Sequence, residues 1–285
     1  MKKKVLVTGA TGFLGNYVVN ELLAAEHTVI ATARSEEKAK EMPWYGRVTF
    51  IAYDLRSPLP ANCFQYFHEP ETAIHLAWEG LPNYRADFHV TENLPRHLDF
   101  LEHLVAGGLK DLTVSGTCLE YGLQEGMLNE AMETHPVTAY AIAKDRLRAS
   151  LEQVIAQHRG SLKWVRLFYM FGKGQHPNSL LSQLDRAIAN KDSVFRMSGG
   201  EQERDYLPVE AVARALVRIA LQDKVDGIIN CCSGQPVKII ELVRNYLSEK
   251  RAAIQLETGY YPYPDYEPMA FWGDNRKLKS VLEHG

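Results

Sequence analysis

The sequence predicts an α/β protein, in which a doubly wound parallel sheet is followed by a smaller, mixed α/β C-terminal lobe. Short apolar runs alternate with helical patterns over residues 1–170, which is typical of strand–helix–strand units. The runs lack the apolar–polar alternation of half-exposed strands, as expected for parallel strands buried on both faces. After residue 170 this rhythm breaks. We therefore expect one domain over residues 1–170 and a second lobe over 171–285, with strands that can cross between them.

The expected elements follow from where the apolar periodicity starts and stops. Six short β-branched runs predict strands at residues 3–8, 28–33, 48–53, 72–77, 111–115 and 162–168. The stretches between them have helical patterns at residues 13–25, 35–42, 88–107 and 138–158. The second lobe has helical patterns at 178–190, 208–222 and 237–250, a short strand at 228–232 and a Tyr/Pro-rich segment at 260–268.

Composition limits the class of protein. The chain has 285 residues, of which 46% are hydrophobic and 24% charged, with a formal net charge of -3. Wholesale disorder is therefore excluded, and the charge gives no reason to expect a nucleic-acid partner. No stretch approaches the roughly eighteen apolar residues of a membrane span, and the first strand is too short for a signal peptide. The four cysteines lack metal-ligand spacing, so we expect reduced thiols in a cytoplasmic protein without a metal.

A glycine-rich segment closes the first predicted strand and opens the first helix. Glycines at this spacing allow a sharp turn, a close approach to a pyrophosphate and tight helix–strand packing. The helix N-terminus adds free N–H groups and a positive dipole end. We therefore expect a dinucleotide to contact this segment, although a purely structural glycine turn is the alternative. The residues concerned are Gly9, Thr11, Gly12, Phe13, Leu14 and Gly15.

The end of the second strand bears on which dinucleotide binds. A site selective for NAD places Asp or Glu there, to hold the ribose 2′-hydroxyl. This chain has Arg34 instead, with Lys38 one turn later, so the sequence favours NADPH and leaves NAD as the alternative. A solvated basic helix start would explain the same two residues. Asp54 and Leu55 follow the third strand, where Asp54 is expected either to meet the adenine amino group or to be a turn residue.

Tyr-x-x-x-Lys occurs three times, and the context separates the matches. The match at 169–173 is interrupted by a glycine, and the match at 246–250 lies near the end of an amphipathic helix. Tyr140 and Lys144 fall at a helix start after the fifth strand, where i, i+4 spacing puts both side chains on one face. We expect the Lys144 ammonium to lower the pKa of the Tyr140 phenol towards that of an acid–base catalyst. Thr117, at the end of the fifth strand, is expected to hydrogen-bond a substrate oxygen.

In this order the motifs resemble a known family, the extended short-chain dehydrogenase/reductases, and within it the nucleotide-sugar epimerase/dehydratase branch. The resemblance runs nearly end to end. One departure lies in the segment from Arg204 to Val209, where Pro208 replaces the histidine usual in the family. The resemblance implies a Rossmann-type domain that binds NAD(P) over residues 1–170, and a C-terminal lobe that binds a nucleoside-diphosphate sugar. The matching segments are Thr8 to Gly15, Asp54-Leu55, His75-Leu76-Ala77, Ser115 to Gly122, Tyr140 with Lys144, Val165 to Phe168 and Arg204 to Val209.

The resemblance also implies roles for individual residues. Thr117, Tyr140 and Lys144 would be the catalytic set, with Lys144 also holding the cofactor ribose, and Leu76 and Ala77 would line the dinucleotide. Arg204 would approach the phosphates of the sugar nucleotide, a role that suits a guanidinium. A structural ion pair with a neighbouring carboxylate is the alternative for Arg204.

Three further expectations concern the substrate and the assembly. Trp78 and Tyr84 follow the fourth strand at the ligand edge of the sheet and are expected to cover the sugar or the nicotinamide, with loop packing as the alternative. Asn178 is expected to line the sugar-nucleotide site. Helices 88–107 and 138–158 each carry an extra apolar face, which by family resemblance would form a homodimer, and otherwise belongs to the core.

Departures from the family pattern bear on the reaction. The 4,6-dehydratases carry an Asp-Glu pair after the active-site Thr, where this chain has Cys118 and Leu119. The GDP-fucose-synthase type needs a Cys at position 119 and a His at 180, and both positions hold Leu. What remains is NADPH-dependent reduction of a nucleoside-diphosphate 4-keto-6-deoxyhexose at C4 in deoxysugar biosynthesis, favoured by Arg34 and the short C-terminal region. An NDP-sugar 4-epimerase with tightly bound NAD, and a non-catalytic protein that senses NADPH, are the alternatives.

Overall fold

The computed structural model describes residues 2–284, so Met1 and Gly285, the outermost residues of the two predicted units, lie outside it. The strands are, in chain order, β1 Lys4–Thr8, β2 Thr28–Ala33, β3 Thr49–Ala52, β4 Thr72–His75, β5 Asp111–Thr117, β6 Gly126–Leu128, β7 Ser161–Leu167, β8 Tyr169–Phe171, β9 Val194–Arg196, β10 Glu203–Pro208, β11 Gly227–Cys231, β12 Pro236–Lys238, β13 Gln255–Glu257 and β14 Phe271–Gly273. The helices are α1 Phe13–Ala24, α2 Glu36–Lys40, α3 Cys63–Tyr66, α4 Leu94–Gly107, α5 Ala139–Gln157, α6 Leu180–Asn190, α7 Val209–Leu221, α8 Ile239–Lys250 and α9 Arg276–His284.

A seven-stranded parallel sheet forms the centre of the fold, in the order β11-β7-β5-β4-β1-β2-β3. The chain builds outward from β1 to β3 and then returns to add β4, β5, β7 and β11 on the other side. The direction of winding therefore reverses between β1 and β4. In open α/β sheets, ligands bind at the carboxyl ends of the strands at such a point. The predicted doubly wound α/β fold is confirmed.

The inner strands of the sheet are largely apolar because both faces of the sheet are covered. In β1, Val5 and Val7 belong to one core cluster, and Leu6 between them belongs to the other. The first cluster is completed largely by α1 and α7, the second by α4 and α5. A strand with two buried faces has no polar side to alternate, which explains the near-continuous apolar runs.

The C-terminal part of the chain does not pack as one separate lobe. Helix α7 packs against α1, and the strand predicted at 228–232 forms β11, the edge of the central sheet, paired with β7. Ile229 and Cys231 are fully buried there, so this apolar run finds its cover in the main core. What remains outside is a small lobe around α6 and α8 with short strands. That residues 171–285 form the substrate-binding unit stays a prediction.

Two boundaries near the sheet edge matter for the site. Strand β4 ends at His75 and not at 77, and β5 continues to Thr117 and not to 115, so β5 carries Thr117 to the carboxyl edge. The helix predicted at 88–107 opens with a π-helical turn, His89–Asn93, before α4. Within residues 2–284, the structure has no helix of the length and apolarity that a bilayer crossing requires.

Candidate active site

The glycine-rich loop joins β1 to α1 at the carboxyl edge of the sheet. Gly9 has φ +67°, and a Cβ there would lie 2.8 Å from the backbone nitrogen of Ala77. A Cβ on Gly15 would collide with the carbonyl oxygen of Gly9. Helix α1 begins after Gly12, which has no side chain to cap it, so the N–H groups of the first turn face outward. This loop therefore fits the pyrophosphate of a dinucleotide.

The predicted cofactor residues other than Asp54 line two adjoining clefts, which share Gly9, Gly12, Leu76 and Trp78. The first, here called the dinucleotide cleft, is lined among others by Gly9, Thr11, Gly12, Arg34, Leu55, Leu76 and Ala77. The second, the catalytic cleft, is lined among others by Phe13, Leu14, Gly15, Trp78, Tyr84, Thr117, Tyr140 and Lys144. An elongated ligand can therefore run from the end of β2, past the glycine loop, to the predicted catalytic residues.

Two of the three charged residues predicted at the dinucleotide cleft, Arg34 and Asp54, pair with other side chains of the protein. The Arg34 guanidinium forms a salt bridge of 2.6 Å with Glu79, and its side chain is 55% exposed. Lys38 lines the same cleft. Asp54 is held by Arg56, whose hydrogen bonds keep the pKa of that carboxyl below its ordinary value. Asp54 also accepts from the backbone N–H of Arg56, the geometry of the turn residue that was the alternative.

The sequence places Glu79 after the fourth strand, at the ligand edge of the sheet, but does not predict its salt bridge with Arg34. Glu79 follows β4 in the chain, and the fold brings it to the cleft because β4 and β2 flank β1 in the sheet. A local sequence signal for this contact does not exist, since 45 positions separate Arg34 and Glu79.

The structure brings the three predicted catalytic residues together. Helix α5 is capped by Thr138, whose side chain accepts from the N–H of Ala141, and this fixes the helix start that carries Tyr140. The Thr117 side chain neighbours the Tyr140 phenol, and both line the catalytic cleft. Lys144, one turn further along α5, donates from Nζ to the carbonyl oxygen of Ser115 at 2.9 Å.

The predicted effect of Lys144 on Tyr140 is wrong in this structure. Burial raises the pKa of Tyr140 above its ordinary value, and the neighbouring Thr117 side chain lowers it only in part. Burial also lowers the pKa of Lys144 to about 7. The ammonium is directed to the Ser115 carbonyl and to the ring of Trp78, so its charge does not offset the desolvation of the phenol. Tyr140 thus keeps its proton and is suited to donate it.

Glu120 holds the backbone of Thr117 in place, a role that the sequence analysis did not assign to it. Its carboxylate accepts from the backbone N–H of Thr117 at 2.8 Å, from Trp164 Nε1 at 3.0 Å and from Arg166 Nε at 2.7 Å. All of these atoms are buried. The spacing Thr117-x-x-Glu120 is that of a capping box, and the structure shows both of its hydrogen bonds. That spacing is a signal by which the sequence could have identified this residue.

The predicted substrate residues differ in where they lie. Trp78 and Tyr84 both line the catalytic cleft, and the Tyr84 carbonyl accepts the N–H of Tyr140 at 2.9 Å. Asn178 lies exposed in the loop before α6, and its backbone N–H donates to His176. It is not among the residues that line the clefts described here.

Arg204 has the geometry of the structural ion pair that was its alternative. Its side chain is 2% exposed and forms a salt bridge of 3.0 Å with Glu267. Its remaining N–H groups donate to the carbonyl oxygens of Glu203, Pro268 and Met269. The guanidinium is therefore fully occupied by the protein, and a phosphate contact would require it to exchange a partner.

A third cleft opens in the C-terminal lobe beside Arg204. Gln202, Arg204 and Tyr206 contribute to its lining. It shares Tyr169 and Glu267 with the catalytic cleft, so the two spaces meet at these side chains. The three clefts thus lie in sequence from the end of β2, past Tyr140, to the C-terminal lobe.

A glycine loop at the reversal point of a parallel sheet, next to a buried Thr/Tyr/Lys set, defines a Rossmann-type dinucleotide-binding protein of the short-chain dehydrogenase/reductase class. Residues 5–232 match the NAD dependent epimerase/dehydratase family, and the chain belongs to that family. The resemblance drawn from the motifs is confirmed.

Curated relatives resemble the chain over almost its whole length. The dTDP-6-deoxy-L-talose 4-dehydrogenase (NAD(+)) of Aggregatibacter actinomycetemcomitans is 28% identical over 275 residues, 94% of this chain and 98% of the relative. The GDP-6-deoxy-D-mannose reductase of Pseudomonas aeruginosa is 28% identical over 273 residues, 90% of this chain and 83% of the relative.

Solved structures share the fold. MoeE5 in complex with UDP-glucuronic acid and NAD superposes with a TM-score of 0.78 at 26% identity, covering 98% of this chain and 92% of that one. The UDP-glucuronic acid 4-epimerase of Bacillus cereus, in complex with UDP-glucuronic acid and NAD, gives a TM-score of 0.84 at 20% identity, covering 99% and 93%. The second comparison shows the fold alone.

Proposed function

We propose that this protein reduces a nucleoside-diphosphate 4-keto-6-deoxyhexose at C4, with NADPH as the reductant. The observation that carries the proposal is the juxtaposition of the buried Tyr140 phenol and the Thr117 side chain in the catalytic cleft, next to the glycine loop. A phenol that carries its proton at neutral pH can donate it to a developing alkoxide, which is the stronger base. This is the proton step that a carbonyl reduction needs.

The residues after Thr117 argue against elimination of water. Cys118 and Leu119 are both buried, and burial raises the pKa of the Cys118 thiol well above its ordinary value. A buried neutral thiol and an isobutyl group supply neither the general acid nor the general base of a dehydratase. The site therefore favours hydride chemistry at a single carbon.

The dinucleotide, when bound, supplies the hydride that C4 gains. The protein's own part is to hold the ketone and to supply a proton. Tyr140 would donate its phenolic proton to the C4 oxygen, and Thr117 would hydrogen-bond the same oxygen and stabilise its charge. Lys144 would hold the cofactor ribose, as the family resemblance implies. The phenolate then regains a proton from solvent, which balances the reaction.

Arg34 and Lys38 support NADPH, because both cations line the cleft at the end of β2 where a 2′-phosphate would lie. Glu79 reduces this preference by pairing with Arg34. Two relatives named above, a dTDP-6-deoxy-L-talose 4-dehydrogenase and a GDP-6-deoxy-D-mannose reductase, support a 6-deoxyhexose bound to a nucleoside diphosphate. A homodimer formed through α4 and α5, and a cytoplasmic location, are part of the same proposal.

A second candidate is a 4-epimerase that keeps NAD bound. The Glu79–Arg34 pair favours it, since a neutralised Arg34 selects less strongly for a 2′-phosphate, and the B. cereus 4-epimerase complexed with NAD shares the fold. The third candidate, a protein that senses NADPH without catalysis, does not explain why Thr117, Tyr140 and Lys144 are brought together.

The test is NADPH oxidation with a 4-keto-6-deoxyglucose attached to dTDP, UDP or GDP, followed at 340 nm. We expect stoichiometric loss of NADPH with one of these substrates. Tyr140→Phe should lose a factor of about 10² to 10⁴ in kcat. The matched control is Tyr246→Phe, which removes a phenol that hydrogen-bonds Asp185 in the C-terminal lobe and should leave kcat unchanged. Absence of NADPH loss with all three nucleotides would overturn the proposal.

A further inference from the structure

The Lys144 ammonium is buried without a carboxylate partner. Its side chain is 1% exposed, and its hydrogen bond goes to a neutral acceptor, the carbonyl of Ser115. Among residues 2–284, no Asp or Glu forms a salt bridge with it. Moving a charge out of water costs free energy that a single neutral hydrogen bond does not recover. The group that stabilises the ammonium at short range is therefore not a carboxylate.

That group is the indole of Trp78. Lys144 Nζ lies 4.1 Å from the ring centroid, within the range of a cation–π interaction. Trp is the best of the aromatic side chains at this interaction, and the interaction strengthens when the pair is desolvated. Trp78 lines both the dinucleotide cleft and the catalytic cleft, at the place where they meet.

Two histidines fix the position of the indole. Trp78 Nε1 donates to His89 Nδ1 at 3.1 Å, and His89 Nε2 is 3.1 Å from the carbonyl of Asn83. His89 must therefore carry its proton on Nε2, because Nδ1 accepts. His97 stacks on Trp78, with ring centroids 4.5 Å apart and an interplanar angle of 26°. Both rotation and tilt of the indole are restrained.

The stacked His97 is itself fixed by a chain that begins at the glycine loop. Thr8 Oγ1 accepts from the N–H groups of Leu76 and Ala77, so its one proton goes to His75 Nδ1 at 2.9 Å. His75 then carries its proton on Nε2 and donates to His97 Nδ1 at 2.7 Å. Burial lowers the pKa of His75 to about 3, so this ring is neutral near pH 7. The support behind Trp78 therefore adds no charge to the site.

We propose that Trp78 is a positioning residue for Lys144: its indole face, fixed by His89 and His97, holds the buried ammonium in the role that a carboxylate would otherwise take. An aromatic face attracts the cation without offering a strong acceptor, so the ammonium N–H groups not used by Ser115 remain available to hydroxyl groups of a ligand. The inference rests on the proposed function only in giving Lys144 a catalytic task.

The titratable groups that face Lys144 come from five segments of the chain. His75 lies in β4, Glu120 follows β5, Tyr140 is on α5 itself, and His89 and His97 belong to the π-turn and α4. Glu120 is the one carboxylate among them, and it favours the ammonium at a distance while it is paired with Arg166. Replacing Trp78 leaves all five of these groups in the chain, so a change in the titration of Lys144 would report the indole.

The experiment follows the ¹³Cε shift of Lys144 by NMR against pH, in protein labelled on lysine and with no ligand added. The signal is assigned with Lys144→Arg. In Trp78→Leu we expect the titration midpoint of Lys144 to fall by about one pH unit, a tenfold change in its ionisation constant. Trp78→Phe keeps an aromatic face, so in this variant the midpoint of Lys144 should fall by less than half of that amount. Trp272→Leu, in β14 and outside both clefts, should leave the midpoint unchanged.

A midpoint in Trp78→Leu equal to that of the wild type would overturn the inference, as would equal falls in the Leu and Phe variants. If Trp78→Leu does not fold, Trp78→Phe decides, and an unchanged midpoint there overturns the inference. The readout needs no substrate. If the Lys144 midpoint falls in Trp78→Leu but the wild-type protein reduces no 4-keto sugar, only the proposed function is contradicted. If the wild-type protein is an active reductase but the midpoint does not change in Trp78→Leu, only the role of Trp78 is contradicted.

Discussion

Replacing Glu120 by Gln is the substitution whose cost the structure specifies most closely. Three donors converge on two oxygens: Oε1 accepts from Thr117 N and Trp164 Nε1, and Oε2 accepts from Trp164 Nε1 and Arg166 Nε. A glutamine has one oxygen and one NH₂ group. Whichever way the amide turns, its NH₂ faces a buried donor, either the Thr117 N–H or the Arg166 guanidinium.

The magnitude follows from the loss of a buried counter-ion. Arg166 and Glu120 are both within 1% of complete burial, and removal of one partner of a buried pair costs about 3 to 5 kcal/mol. We expect Glu120→Gln to lower the free energy of unfolding, measured in urea by circular dichroism, by at least about 3 kcal/mol. Activity should also fall, because the Thr117 backbone loses its acceptor.

The matched control is Glu257→Gln, which breaks a surface pair of 2.9 Å with Arg196. Exposed pairs contribute about 0 to 1 kcal/mol, so the stability of this variant should stay within that range of the wild type. A loss in Glu120→Gln no larger than the loss in Glu257→Gln would refute the argument that the buried carboxylate holds the Thr117 turn.

Two further predictions concern charge. Lys144→Met should stabilise the ligand-free protein at pH 6 by up to about 5 kcal/mol, and this gain should shrink between pH 7 and 10. The reason is that Lys144 loses its proton near pH 7 in the folded protein, whereas the unfolded chain keeps it to about pH 10.5. A gain in unfolding free energy, measured in urea, that does not change with pH would contradict this. Glu79→Gln removes the carboxylate that pairs with Arg34, so the Kd for NADPH should fall by up to about fivefold while the Kd for NADH stays unchanged. Both constants can be measured by calorimetric titration. An unchanged Kd for NADPH would argue against a contact between Arg34 and the 2′-phosphate.

The fold and the central site could be predicted because their signals are local. A strand buried on both faces has to be apolar, so β1, β4 and β5 were visible as runs, and the glycine loop and the Tyr140/Lys144 pair followed from spacing. The sequence also predicts strand β11, but an apolar run does not specify which sheet the strand will join. The role of Glu120 could also have been predicted, since Thr-x-x-Glu is the spacing of a capping box.

What could not be predicted depends on contacts between distant segments. Glu79 meets Arg34 only because β4 and β2 both flank β1. The pKa of Tyr140 was expected to fall from the presence of a nearby ammonium, whereas it rises because packing removes the phenol from water. Desolvation depends on every neighbour at once, and a motif of two residues carries no information about it.

The reaction itself is tested most directly by following the hydride. NADPH carrying deuterium at the transferred position of the nicotinamide C4 should be incubated with a nucleoside-diphosphate 4-keto-6-deoxyhexose, and the product analysed by mass spectrometry and NMR. We expect one deuterium at C4 of the released sugar for each NADPH consumed, and none with Tyr140→Phe over the same time. Interconversion of C4 epimers without deuterium uptake or NADPH consumption would contradict it and would identify an epimerase.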